Sequence, residues 1–208
     1  MLEIMNLKKA LSELRKIDYR MGRLIDEFGE AEFNPISNYY ESLVRSIVYQ
    51  QLSGKAAATI YGRFKDLFNT SAFPTPKDVL EIPHESLRSV GLSNQKANYI
   101  RDLSEKWDRG EIDLSNVESM SDEEISTELI KVKGIGQWTS DMFLMFTLVR
   151  PDVFPLGDLG IQKGFMILNK IDRLPKPNEM EEEAEQWRPY RTVAAWYLWK
   201  IVDGPFEW

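Results

Sequence analysis

A chain of 208 residues with 43% hydrophobic residues is long enough for one ordinary domain, or two small lobes, around a real core. The lack of cysteine excludes a disulfide framework, a thiolate zinc site and an iron–sulfur cluster, and a single histidine excludes a histidine metal site. A net charge of −7 weighs against a nucleic-acid partner unless the local distribution overrides the total. Charges follow Met1 at once and no long apolar run appears, so neither a signal peptide nor a membrane-spanning helix is expected. A cytoplasmic, nucleoid-associated location of bacterial or archaeal type is the default.

Residues before 38 carry no readable motif. Leu43, Val44, Ile47 and Val48 then recur at helical spacing, and Ala57, Ile60, Tyr61, Phe64 and Leu67 form a second helical stripe. Gln50-Gln51-Leu52-Ser53-Gly54 joins the two, with Ser53 suited to cap the second helix. Breaks are expected at Phe73-Pro74-Thr75-Pro76 and at Pro83-His84-Glu85, with His84 an exposed loop residue of no assigned role. Ser121 and Glu124 form a capping-box pattern that opens a helix carrying Ile125, Leu129 and Val132. Gly134 and Gly136 permit a tight reversal at positive φ. One helix is then expected from Trp138 through Met142, Phe143, Met145, Phe146 and Val149, stopped by Pro151.

A further helix is expected over Leu159–Asn169 with Ile161, Phe165 and Leu168 inward. Pro175 and Pro177 mark a loop, Glu179 to Glu185 reads as a solvated helix face, and Pro189 suits the start of a final helix holding Val193, Ala194, Tyr197 and Trp199. No segment alternates as a strand would. The reading is an all-α protein, with residues 38–203 as its core and a helix–hairpin–helix at 121–150.

Two features carry chemistry. A helix–Gly-x-Gly–helix turn points backbone N–H groups outward and presents the positive end of the second helix, which suits an anion without needing a side chain. Lys133 can add a conventional phosphate contact, and Lys131 and Lys163 add local positive charge. Taken alone, Gly-x-Gly is more often a plain turn. Asp158 follows Gly157 at a helix start. As an isolated aspartate it would be an N-cap, yet the same placement favours its anion, which could stabilise an oxocarbenium-like sugar and orient or deprotonate water. Asp152 reads as a loop acid and Asp141 as a residue on the polar face of its helix. Trp138 and Trp199, taken singly, would be core residues.

Several segments together resemble one family: Ile47-Val48-Tyr49-Gln50-Gln51-Leu52-Ser53, Gly91-Leu92-Ser93-Asn94-Gln95-Lys96-Ala97-Asn98-Tyr99-Ile100, Val132-Lys133-Gly134-Ile135-Gly136-Gln137-Trp138-Thr139, Asp152-Val153-Phe154-Pro155-Leu156-Gly157-Asp158-Leu159-Gly160, and Trp187-Arg188-Pro189-Tyr190-Arg191 leading to Trp199. The chain resembles the helix–hairpin–helix DNA glycosylases, in the 3-methyladenine DNA glycosylase II branch, over residues 38 to 203.

The resemblance implies a two-lobed helical fold with a DNA-facing cleft, acting on a damaged base in double-stranded DNA, with no membrane partner and as a monomer. It implies that Asp158 is the catalytic carboxylate. Trp138 and Trp199, joined by Tyr49 or Tyr197, would form the base pocket. Gln51, Ser53, Lys133, Gly134, Ile135, Gly136 and Thr139 would face DNA, with Gln51 filling the gap left by the extruded nucleotide. No cofactor is required, although a structural Na+ or K+ would sit on the carbonyls of Ile130, Val132 and Ile135. Bifunctional relatives carry a nucleophilic lysine where this chain has Trp138, so base release without strand cleavage is expected. A catalytically inactive helix–hairpin–helix DNA-binding module and an all-α protein-interaction domain are the competing readings.

Overall fold

The computed structural model describes residues 5–52, 54–68 and 70–203. Among them are twelve α-helices and no strand, as the periodicity predicts. They are α1 (Leu7–Ile17), α2 (Tyr19–Phe28), α3 (Tyr39–Tyr49), α4 (Gly54–Asp66), α5 (Pro76–Glu81), α6 (His84–Ser89), α7 (Asn94–Asp108), α8 (Asp122–Ile130), α9 (Gln137–Met142), α10 (Leu159–Asn169), α11 (Pro177–Ala184) and α12 (Arg191–Asp203). No described helix is long and apolar enough to cross a membrane. The helices divide into two compact units. One is contiguous, from Ile36 to Phe143; the other combines the chain up to Pro35 with the chain from Leu144 onward.

In the contiguous unit, Leu43, Val44, Ile47 and Val48 of α3 are wholly buried, and α3 packs on α4, α7 and α9. Each such side chain contributes about 1.5–3 kcal/mol of burial. Tyr40 and Ser104 share a buried hydrogen bond of 2.7 Å between α3 and α7. The capping box on α8 forms as predicted, with Ser121 and Glu124 satisfying each other's backbone amides. Two short helices occupy what was expected to be broken chain. Thr75 caps α5 reciprocally with Asp78, and Pro76 takes the first helical position, where its missing N–H costs nothing. His84 opens α6 rather than a loop, and its Nε2 lies 2.9 Å from Asn94 Oδ1.

In the other unit, α12 is buried from Thr192 to Trp199 and packs against α10, α2 and α1. A helix apolar on every side belongs inside the fold. Gly164 makes the α10–α12 approach possible: a Cβ there would lie 2.1 Å from the Leu198 carbonyl oxygen. The N-terminal segment, silent in sequence, supplies Asp18, which is 4% exposed. Its carboxylate accepts the Trp187 indole N–H at 3.0 Å and a guanidinium fork from Arg20, which also reaches Glu183 on α11. The acidic stretch is therefore only partly a solvated face. Pro189 lies in the connector before α12, which opens at Arg191.

The helix expected to run unbroken from Trp138 to Val149 does not. α9 ends at Met142, Phe143–Thr147 form a wider π-helical turn, and Val149 adopts φ 53°. A β-branched residue there costs on the order of 1–2 kcal/mol. The contacts beyond it hold it: the Thr192 hydroxyl donates to the Arg150 carbonyl at 2.6 Å and accepts the Val153 amide at 2.9 Å.

Candidate active site

Asp158 caps α10. Its backbone turns on the Pro155 carbonyl at 3.0 Å, and its Oδ1 accepts the Ile161 amide at 2.8 Å. The same oxygen accepts the Trp199 indole N–H, also at 2.8 Å. Two donors on one oxygen fix the carboxylate's orientation at a helix N-terminus, where the macrodipole favours negative charge. Gly160 makes this contact possible. A Cβ at that position would meet Trp199 Cδ1 at 2.7 Å, its Nε1 at 2.9 Å and Asp158 Oδ1 at 3.0 Å.

Trp199 and Tyr197 differ from their expected roles as pocket walls. Trp199 is 2% exposed, lies tilted against Phe146 at 5.9 Å, and spends its N–H on Asp158. It orients the carboxylate instead of offering an open ring. Tyr197 is fully buried and donates its hydroxyl to the Gly29 carbonyl at 2.6 Å, so it is a packing residue. Burial pushes its hydroxyl up to about 12.

The rival carboxylates are otherwise engaged. Asp152 is paired with the guanidinium groups of Arg188 and Arg191. Asp141 is half-buried beside Gln137 on α9, and burial pushes it up to about 6, against a hydrogen bond from Gln137.

In the contiguous unit, the hairpin between α8 and α9 turns at Gly134, with φ 85°. A Cβ there would lie 2.0 Å from the Tyr99 ring, so both backbone and space require glycine. Gly136 departs from expectation. Its φ is −108°, and a Cβ would find nothing within 4 Å. Neither its backbone nor its internal neighbours demand glycine, and the bare backbone stays open to an approaching ligand. No side chain caps α9 at this residue. The Lys133 amide is held by Asp102 at 2.9 Å and the Ile135 amide by the Val132 carbonyl at 3.1 Å. Lys133 itself is exposed, its ammonium 3.5 Å from Asp102 Oδ1. Burial pushes the Asp102 carboxyl up, but Lys106 and Lys133 outweigh it and hold it below the usual range.

Gln51 protrudes at the α3–α4 joint, exposed and at φ 56°. Ser53 lies outside the described residues. Trp138 is half-buried and lines a cavity of about 480 Å³ with Gln50, Gln51, Lys96, Tyr99 and Thr139. Tyr49 does not line it; the Arg45 guanidinium covers its ring at 4.7 Å. Thr139 is 3% exposed and its hydroxyl accepts from Gln50, so its side chain is an internal brace. The Ile135 and Val132 side chains are buried, leaving only their backbones to outside partners. Sequence reading gave Asp102 no part and took Lys96 and Gly160 only as members of the resembling segments, since what they do lies in contacts with other helices.

A model of the HhH-GPD superfamily of base excision DNA repair proteins matches residues 44–189. DNA-3-methyladenine glycosylase 1 of Schizosaccharomyces pombe is 36% identical over 201 residues, covering 95% of this chain and 88% of that protein. The solved structure of an S. pombe 3-methyladenine DNA glycosylase in complex with abasic DNA matches with a TM-score of 0.83 and 34% identity, over 96% of this chain and 100% of that one. A DNA-3-methyladenine glycosidase from Bacillus halodurans matches with a TM-score of 0.80 and 37% identity, over 92% of this chain and 89% of that one.

Proposed function

Because the chain belongs to the HhH-GPD superfamily, among the alkylbase DNA glycosylases of base excision repair, we propose that it is a monofunctional glycosylase. It removes alkylated purines of the 3-methyladenine and 7-methylguanine type from duplex DNA, acting as a monomer. The observation that carries this reading is the Asp158 carboxylate, held by the Trp199 indole and the Ile161 amide at the start of α10.

Alkylation at N3 of adenine or N7 of guanine gives a cationic base, which departs as a neutral leaving group without a strong general acid. Once the nucleotide leaves the stack, breaking its C1′–N bond develops positive charge on the sugar. A carboxylate stabilises that charge, and water adds to C1′ with its proton passing to the carboxylate or to solvent. The product is an abasic site in an intact strand. Trp138 stands where a Schiff-base mechanism would need an amine. Its ring attracts a cationic base in preference to a neutral one by about 0.5–2 kcal/mol.

The exposed backbone at Gly136 and the α9 N-terminus would bind a phosphate, with Lys133 beside it, and Gln51 would fill the vacated stack. The carbonyls of Ile130, Val132 and Ile135 would hold a monovalent cation. The end of α8 fits one, since its last turn carries no basic residue and the ammonium of the cap residue Lys131 is drawn to Glu128 and the Glu111 carbonyl. Such a cation supplies positive charge next to the phosphate.

The test is incubation with methylated duplex DNA and with an oligonucleotide carrying a single 1,N6-ethenoadenine. Released 3-methyladenine or 7-methylguanine, with strand breaks only after hot alkali, is the expected result. Breaks without alkali would end the monofunctional reading, and no base release from any alkylated duplex would end the glycosylase reading.

A further inference from the structure

The α3–α4 joint that carries Gln51 is held from two sides. Helix α3 has no basic residue in its last turn, so its terminal carbonyls need a cation from elsewhere. Lys96, in the first turn of α7, supplies it: its ammonium donates to the Val48 carbonyl at 2.7 Å and to the Gln50 carbonyl at 2.6 Å. Gln50 in turn donates from Nε2 to the Gly134 carbonyl at 2.9 Å and the Thr139 hydroxyl at 3.2 Å. Gln51 directly follows these anchors and sits in the left-handed region, which a glutamine does not hold unless its neighbours impose it. Thus Gly134, the turning point of the hairpin, and Gln51, the protruding side chain, are one bridging residue apart.

We infer that Gln50 and Lys96 are positioning residues that lock the Gln51 joint to the hairpin, so that phosphate capture and filling of the vacated stack occur as a single event. This rests on the glycosylase reading for its substrate, although the coupling is measured on abasic DNA without any base release. An ordinary surface joint would let the backbone at Gln51 sample many conformations and lose entropy at each encounter; this one holds the backbone that carries it in place.

The experiment uses the full chain and two duplexes of one sequence, undamaged or containing a tetrahydrofuran abasic analogue opposite 2-aminopurine. Anisotropy gives the preference for the abasic analogue, and 2-aminopurine fluorescence reports entry of Gln51 into the gap. Gln51→Ala lowers the preference about tenfold and abolishes the fluorescence change. Gln50→Met and Lys96→Met each reproduce most of that loss with Gln51 intact, and neither deepens it in the Gln51→Ala background.

Wild-type preference and fluorescence in both bracing variants would overturn the inference. So would losses that add fully to that of Gln51→Ala, which would mark the two residues as merely structural. If Lys96→Met does not fold, Gln50→Met, which leaves α3 capped, decides by the same readouts. Absence of base release by the wild-type protein would count against the glycosylase reading alone.

Discussion

Replacing Gly160 by alanine separates two opposed effects. Gly160 is the second residue of α10, where helix propensity alone makes alanine more stable by about 1 kcal/mol. The added methyl, however, meets the Trp199 ring at 2.7 Å and Asp158 Oδ1 at 3.0 Å. The indole cannot swing away, being 2% exposed and packed against Phe146. Overpacking of this kind costs about 1–3 kcal/mol. Losing the indole–carboxylate hydrogen bond costs about 1.5–3 kcal/mol more. A net destabilisation of about 1.5–5 kcal/mol is expected, opposite in sign to the propensity effect. Urea unfolding measures it, and single-turnover release of 7-methylguanine measures the accompanying loss of rate in the folded fraction. A Gly160→Ala protein as stable as wild type, or more stable, with an undiminished rate, would refute the claim that the missing side chain positions the carboxylate.

Asp158→Asn retains an oxygen able to accept both the Ile161 amide and the Trp199 indole, so it should fold normally. Base release should fall by about 10²–10⁴, with binding to abasic duplex retained; both are read from one preparation. Gly134→Ala combines a positive φ with a 2.0 Å clash against Tyr99. It should cost at least about 3 kcal/mol and abolish DNA binding, checked by thermal melting and anisotropy. Lys133→Ala should weaken undamaged and damaged duplex alike and reduce the slope of log affinity against log salt by about 1.

Asp141 titrates near 6 in the fold, above its unfolded value. Its neutral form therefore stabilises the protein at acid pH, and that stability is lost as pH rises from about 4 through 6. Asp141→Asn should be more stable than wild type by about 1–3 kcal/mol at pH 7 and equal to it near pH 4, measured by urea unfolding at both pH values.

Sequence reading reached what depends on spacing along one helix. The buried face of α3, the capping box at Ser121 and the span of α10 all follow from local periodicity and caps. It also reached the place of Asp158 at the start of α10 and the turn at Gly134, because a glycine turn before a helix is a local pattern. What it missed depends on partners far along the chain. Trp199 reads identically as a pocket wall or as the partner of a carboxylate 41 residues away; only the hydrogen bond separates the two. The left-handed turn at Val149 is held by contacts of Thr192 with Arg150 and Val153 that no periodicity encodes. The helix at Pro76 is a different failure. Thr75-Pro76-Lys77-Asp78 carries a full start signal, and the two prolines flanking Thr75 concealed it.

The discontinuous unit imposes an order on biosynthesis. Translation delivers every residue of the contiguous unit by Phe143, so its helices can consolidate while the ribosome is still working. Asp18, emitted near the beginning, must wait for the Trp187 indole, and the Gly29 carbonyl must wait for Tyr197. At about 5–20 residues per second, that delay lasts on the order of ten to thirty seconds. During this interval α1 and α2 can pack on each other, but the faces they turn to α12 have no native counterpart. The nascent polypeptide is then exposed to aggregation through the uncovered faces of α1 and α2, and chaperone demand should fall when α12 leaves the tunnel.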